Sequence, residues 1–217
     1  MAKPIIIGLN VGAMGTSPTG RGFFNSKDRT FCYIPIEETE DQRIKFTFKD
    51  LNNTCINESL DYPCHYDPEF KTCTYGHIRR GFGDSILYKT NVKNNRVYIL
   101  FYSTLDIDNK KEDWDVFAIG YFEVDKIVDA RKLTDEQIFS LKDFQNNAHL
   151  RRKNPIVELL IKGTEKSRLF KEAIPFLEFQ HLITTTTNKE ISRVGPWYRW
   201  VYYSENQKLL ELLRNNP

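Results

Sequence analysis

The chain has 217 residues, with 31 Lys and Arg against 29 Asp and Glu, a formal net charge of +2, and 40% hydrophobic and 13% aromatic residues. That content supports a packed core and excludes wholesale disorder. The near-neutral charge excludes nucleic-acid binding over the whole surface, so any such contact needs a local patch. No apolar run approaches the ~20 residues of a membrane span and the start carries no secretory pattern, so a cytoplasmic protein without a membrane partner is expected.

In chain order, Ile5-Ile6-Ile7 is a short apolar strand. It runs into a loop from Gly8 to Gly22 that holds five glycines, a usual way of bringing backbone N–H groups close to a phosphate. Gly15 to Gly22 has P-loop glycine spacing, but Arg21 stands where that motif needs Lys and Gly22 where it needs a hydroxyl, so the motif fails. A surface loop and an anion loop using Arg21 both remain. Phe31 to Ile36 reads as a second strand, the acidic stretch Glu37 to Asp41 as a solvated loop, and Phe46 to Leu51 as a further alternating segment. Gly83 to Tyr88, Tyr98 to Tyr102 and Ala118 to Val124 read as three strands in succession, with Asn91 to Arg96 and Asp106 to Asp115 as polar connections. The third is apolar on both faces and carries Gly120, which marks a bulge or a close approach by another backbone or a ligand. Thr134 to Gln137 has the form of a capping box. Pro155 to Ile161 resumes strand character, Gly163 to Arg168 is a turn entering a helix over Leu169 to Ala173, and Ser204 to Leu213 is a closing amphipathic helix.

Four groups of residues carry chemistry. Asp67-Pro68-Glu69-Phe70 with Thr74-Tyr75-Gly76 puts two carboxylates in a turn, suited to holding a metal through water, to base catalysis, or to accepting hydrogen bonds from a base edge or ribose. Asp before Pro is also an ordinary turn initiator. Asn147-Ala148-His149-Leu150-Arg151-Arg152 sets an imidazole beside an amide and two guanidiniums, which pair with phosphate. Gly163-x-x-Lys166-Ser167-Arg168 joins a glycine turn and cations to an expected helix N-terminus. Trp197, Tyr198, Arg199, Trp200, Tyr202 and Tyr203 form an aromatic and basic segment that serves either base stacking or packing. Cys55, Cys64 and Cys73 with His65 and His77 leave three readings open: a zinc-stabilised module, a disulfide, or inert thiols. The chain lacks the nucleophile-elbow, metalloprotease and kinase signatures.

The strand order resembles the small β-barrels of the PUA-like class, which bind nucleic acids or modified bases. As a whole the chain resembles the third of the nucleotide-modification-associated domain families. The resemblance rests on the first strand with its Gly-rich loop, Tyr33-Ile34-Pro35-Ile36, Asp67-Pro68-Glu69-Phe70, Thr74-Tyr75-Gly76, Gly83-Asp84, Phe101-Tyr102, Gly120-Tyr121-Phe122, Asn147-Ala148-His149 and the Gly163 to Arg168 turn. Asn10 departs from it where a charged residue is expected, and Cys55 to Cys64 is an apparent insertion. The resemblance implies association with systems that modify bases in DNA or free nucleotides, without supplying a reaction.

The expectation is one α+β domain over 1–217, mostly strands to residue 130 and mostly helices after it. Its sheet is curved, mixed or antiparallel, and partly closed. It would bind a nucleotide or nucleic-acid base. His149, Asp67 and Glu69 would be the reactive groups, with Arg21, Tyr75, Asn147, Arg151, Lys166, Ser167 and Arg168 holding phosphate or ligand. No metal is assigned to this site, and neither a cofactor nor an oligomeric state is specified. The rival is a non-catalytic reader of modified DNA or RNA.

Overall fold

The computed structural model describes residues 4–12, 20–51, 61–78, 96–182, 201–204 (backbone) and 207–216. The expected strand Gly83 to Tyr88, the connection from Asn91 up to residue 95, residues 13–19 of the first glycine loop, Cys55, and Trp197 to Trp200 lie outside these residues.

Two long antiparallel strands organise the sheet, β7 (Arg96–Ile107) and β8 (Lys110–Asp129). They are joined at Asp108 and Asn109, both with left-handed φ (49° and 61°). That is the turn geometry whose twist matches the strands it joins, and Asp and Asn tolerate it. The expected polar connection over Asp106 to Asp115 is therefore a tight hairpin with strand on both sides of the turn. Along one edge, β7 pairs in parallel first with β1 (Pro4–Asn10) and then with β2 (Gly22–Phe24), which also pairs with β3 (Phe31–Cys32). The far edge of β8 pairs first with β10 (Arg168–Pro175) and then with β9 (Leu159–Gly163). β9 carries β6 (Thr74–His77), and β1 carries β11 (Val201–Ser204). Each long strand thus passes from one neighbour to the next along its length. Register shifts at Phe101/Tyr102 and Val124/Lys126 add local bend, and the mixed sheet curls into a half-barrel.

Side chains alternate across this sheet. Val97, Ile99, Phe101 and Leu105 point to the concave core with Ile7, Phe70, Tyr75 and Phe122. Tyr98, Leu100 and Tyr102 point to the outer face with Ile6 and Tyr121. That outer face is covered by α3 (Phe176–Phe179) and by α4 (Gln207–Asn215), through Leu209, Leu210 and Leu213. The central part of β8 is buried throughout from Phe117 to Phe122, so the reading of a strand covered on both faces holds. Gly120 is the close approach expected of it, since a Cβ there would lie 2.5 Å from the Arg168 carbonyl oxygen and 2.7 Å from the Phe70 ring.

Four α-helices occur among the described residues, all after residue 134, as the α+β expectation required. Thr134 caps α1 (Asp135–Phe139) with both hydrogen bonds of the capping box in place. Elsewhere local structure departs from expectation. Leu169 to Ala173 is not helix but part of β10, with Phe170, Ala173 and Ile174 buried and Lys171 exposed. Its pairing to β8 overrides any helical tendency in so short a segment, so Gly163 to Arg168 is a short turn linking two strands, β9 and β10, that follow one another along the same edge of β8. Phe31 to Ile36 is interrupted at Tyr33–Pro35, leaving only β3 and the two-residue β4 (Ile36–Glu37). Phe48–Leu51 is a 3-10 turn closed by the Asp50 carboxylate, which accepts from the Thr47 N–H and hydroxyl at 2.7 and 2.9 Å. The closing helix starts at Gln207, three residues later than expected, because Ser204 belongs to β11.

Candidate functional site

The site lies where three segments distant in sequence meet. The pairing of β4 with β5 (Cys64–His65) sets His65 opposite Ile36. Asp67 follows β5, ahead of a cis peptide to Pro68. The short helix α2 (Ala148–Arg151), capped by Asn147, brings His149 and is followed by Arg152.

At its outer side, Glu38 is gripped from two directions. The Arg152 guanidinium donates through Nε to Oε2 at 2.9 Å and through Nη2 to Oε1 at 3.0 Å. His65 Nδ1 donates to Oε2 at 2.7 Å. The Glu38 side chain is only 1% exposed. Burial alone would raise its pKa, but the hydrogen bonds from His65 and Arg152 outweigh burial and hold the carboxyl at about 2. The acidic stretch Glu37 to Asp41 is therefore not simply solvated, for Glu38 turns inward.

At the centre, the Asp67 carboxylate accepts the Gly76 N–H at 3.0 and 3.1 Å and the Asn147 side-chain amide at 3.3 Å. The Asn147 oxygen accepts the His149 N–H at 3.1 Å, so one side chain both caps the helix and orients Asp67. His149 Nδ1 donates to the Ile156 carbonyl at 2.9 Å, leaving Nε2 facing Asp67 Oδ2 at 3.5 Å. Burial lowers the His149 pKa against the opposing pull of Asp67, which favours the neutral ring. The His65 and His149 rings meet edge to face with centroids 4.7 Å apart. Gly76 is required by this contact, because a Cβ at that position would lie 2.2 Å from His149 Cδ2.

Of the residues expected at the site, the structure brings Asp67, Asn147 and His149 into direct contact. Tyr75 lies on the same strand as Gly76, its hydroxyl hydrogen-bonded to His77 Nδ1 at 2.8 Å. Glu69 is buried but turns back on its own loop, accepting from the N–H groups of Lys71 and Thr72 at 2.7 and 2.8 Å and from the Thr72 hydroxyl. Arg151 is 6% exposed and lies over the Phe46 ring at 3.8 Å, and Phe46 in turn stacks on Tyr66. Its Nη1 is buried with no hydrogen-bond partner among the described residues, and burial lowers its pKa.

The other residues are placed elsewhere, and the three arginines share no partner. Arg21 pairs with Asp106 at 2.6 Å and donates to the Lys111 carbonyl. Arg168 donates to the carbonyls of Arg214 and Asn216, closing the C-terminal end of α4. Lys166 is exposed in the β9–β10 turn, where its N–H donates to Thr164 Oγ1. The Ser167 hydroxyl accepts the Glu123 N–H at 3.1 Å. Cys64 and Cys73 are free thiols, and burial pushes the Cys64 thiol far up, away from the thiolate that zinc or disulfide exchange would use.

A cavity of about 230 Å³ is walled by Phe31, Tyr33, Tyr66, Leu169 and Phe170 among others; Tyr33 and Tyr66 connect it to the Asp67 backbone, while Asp67, His149 and Arg151 are not among its lining residues. The Tyr33 hydroxyl donates to the Asp67 carbonyl at 3.2 Å, and burial lifts the Tyr66 hydroxyl to a pKa of about 12, so it stays a donor. The Cys/His reading places His65 with the cysteines rather than with Asp67; Arg152, read as a guanidinium for phosphate, is instead committed to Glu38, and Glu38 is the residue of the site that the sequence reading misses. The available signal was the pair His65-x-Asp67 leading out of a strand, which places one imidazole and one carboxylate two residues apart.

No described helix is long and apolar enough to cross a membrane. None of the curated proteins and none of the solved structures gives a significant match. A family model does match, over residues 5–208, a span that includes every residue of the site. It describes nucleotide modification associated domain 3, and the chain belongs to that family.

Proposed function

We propose that this protein binds a nucleotide, or a base extruded from a nucleic acid, in the aromatic cavity beside Asp67, and that Asp67 and His149 form its reactive centre. The single observation that carries the reading is the fixed Asp67–His149 pair, held at 3.5 Å by Gly76, Asn147 and the Ile156 carbonyl. Family membership supplies the association with nucleotide modification. The cavity lies below the ~300–1,000 Å³ usual for small-molecule pockets, which favours one ring system over a longer ligand. Phe31, Tyr33, Tyr66 and Phe170 supply faces for stacking, worth ~1–3 kcal/mol per base. Arg151, with Nη1 unpartnered behind the Phe46–Tyr66 stack, is the cation best placed to meet a phosphate.

The test is binding of fluorescent single- and double-stranded oligonucleotides at two salt concentrations, with free nucleotides as competitors. Oligonucleotide binding that falls steeply with salt and resists mononucleotide means action on, or reading of, the polymer. Saturable binding of one mononucleotide alone places the activity on the free pool. In either case Tyr66→Ala and Asp67→Asn weaken binding. A protein that binds neither class overturns the proposal.

A further inference from the structure

We propose that His65, Asp67 and His149 together hold one divalent transition-metal ion. The inference rests on Asp67 and His149 being the reactive centre, but it can be measured with no nucleotide present.

Three observations lead there. The first is geometric. One ligand atom from each of the three buried side chains can be chosen so that all lie within 4.8 Å of one another. Two atoms bonded to one ion at ~2.0–2.2 Å stand ~3–3.5 Å apart in tetrahedral geometry. The 3.5 Å between His149 Nε2 and Asp67 Oδ2 fits that spacing, and is long for a direct hydrogen bond.

The second is tautomeric. His149 Nδ1 faces the Ile156 carbonyl at 2.9 Å and His65 Nδ1 faces the Glu38 carboxylate at 2.7 Å. Arg152 also turns N–H groups toward both Nδ1 atoms, at 3.3 Å each, but the shorter contacts are to groups that only accept, so both Nδ1 atoms carry hydrogen and Nε2 of each ring is left to face a ligand. A lone pair on His149 opposite a carboxylate oxygen is an acceptor facing an acceptor, and a cation between them resolves the conflict. Ligating histidines are regularly fixed in this way, by a carboxylate or carbonyl on the other nitrogen. Here each of the three donors has such an outer partner: Glu38, Ile156, and the Gly76 and Asn147 amides.

The third is charge. Glu38 and Arg152 neutralise each other through two hydrogen bonds. Asp67 has amide donors, but among the described residues His149 is the sole basic side chain within ion-pair reach of it. Arg151 acts on Asp67 only at longer range, so the carboxylate has no cation fixed in contact with it. Two imidazoles and one carboxylate suit Zn²⁺ and Fe²⁺ and leave coordination positions for water or a substrate atom.

The experiment is metal analysis of the protein produced in medium supplemented with Zn²⁺, Fe²⁺ or Co²⁺. The expected result is one ion per chain. The Co²⁺ form should show ligand-field bands of nitrogen and oxygen ligation without thiolate charge transfer, unchanged by Cys64→Ser. His65→Asn and Asp67→Asn should lose at least 10-fold in affinity. Where a variant fails to fold by circular dichroism, the wild-type stoichiometry and Co²⁺ spectrum decide. A metal-free wild-type protein, or thiolate bands, overturns the proposal. Metal-free protein that binds nucleotide overturns this inference alone, and a metal-loaded protein that binds no nucleotide overturns only the nucleotide reading.

Discussion

Glu38→Gln tests the buried network that supports the site. In the native protein the Glu38 carboxyl sits at about 2, against 4.5 for the free group, held by His65 and Arg152. A depressed carboxyl contributes stability that is fully present above its unfolded pKa and is lost as pH falls toward its folded pKa. For these two values the contribution is about 3 kcal/mol at pH 7, with more than half of it gone by about pH 3. Because the side chain is almost wholly buried, solvent screening does not reduce that figure much. Gln keeps the shape but cannot match the charge of Arg152. Urea unfolding of both proteins from pH 7 down to pH 3 reads the difference. At a urea slope of ~2–3 kcal/mol/M, the midpoint separation is about 1–1.5 M at pH 7, shrinking on acidification. A separation that stays constant with pH, or no separation at neutral pH, would refute the placement of a charged, paired Glu38 in the interior.

Gly76→Ala puts a methyl into the buried imidazole of His149, 2.2 Å from Cδ2, and should cost about 1–3 kcal/mol by equilibrium unfolding while weakening any ligand or metal held by His149. Phe101→Ala removes a fully buried ring that touches Phe70, Tyr75 and Phe122, with an expected loss of about 3–5 kcal/mol by thermal or urea unfolding. Thr134→Ala removes one half of the α1 capping box and should cost about 1 kcal/mol by urea unfolding, leaving nucleotide binding unchanged.

The sequence was most legible where local pattern and tertiary pairing agree. Ile5–Ile7, Tyr98–Tyr102 and Ala118–Val124 are strands on periodicity and β-branched content alone, and Thr134 caps α1 as its spacing requires. It misled where a partner strand decides the outcome: Leu169–Ala173 has too few residues to choose its own conformation, and β8 chooses strand for it. At the site, Asp67, Asn147 and His149 were legible because each type carries chemistry and capping chemistry marks Asn147. Glu38 was not, since an acidic run reads as solvated until Arg152, 114 residues away, is seen to bury one member of it. The arginines illustrate the converse. Arg21 and Arg168 have the right chemistry for phosphate, yet Asp106 and the end of α4 already use it.

The site itself is tested most directly by imidazole nitrogen NMR of the native protein, with and without a saturating mononucleotide or oligonucleotide. Before addition, His65 and His149 should both report a proton on Nδ1, and on ligand binding the His149 Nε2 resonance should move. Saturable binding that leaves both histidines unmoved, or a His149 ring protonated on Nε2 alone, would contradict a functional centre at Asp67 and His149.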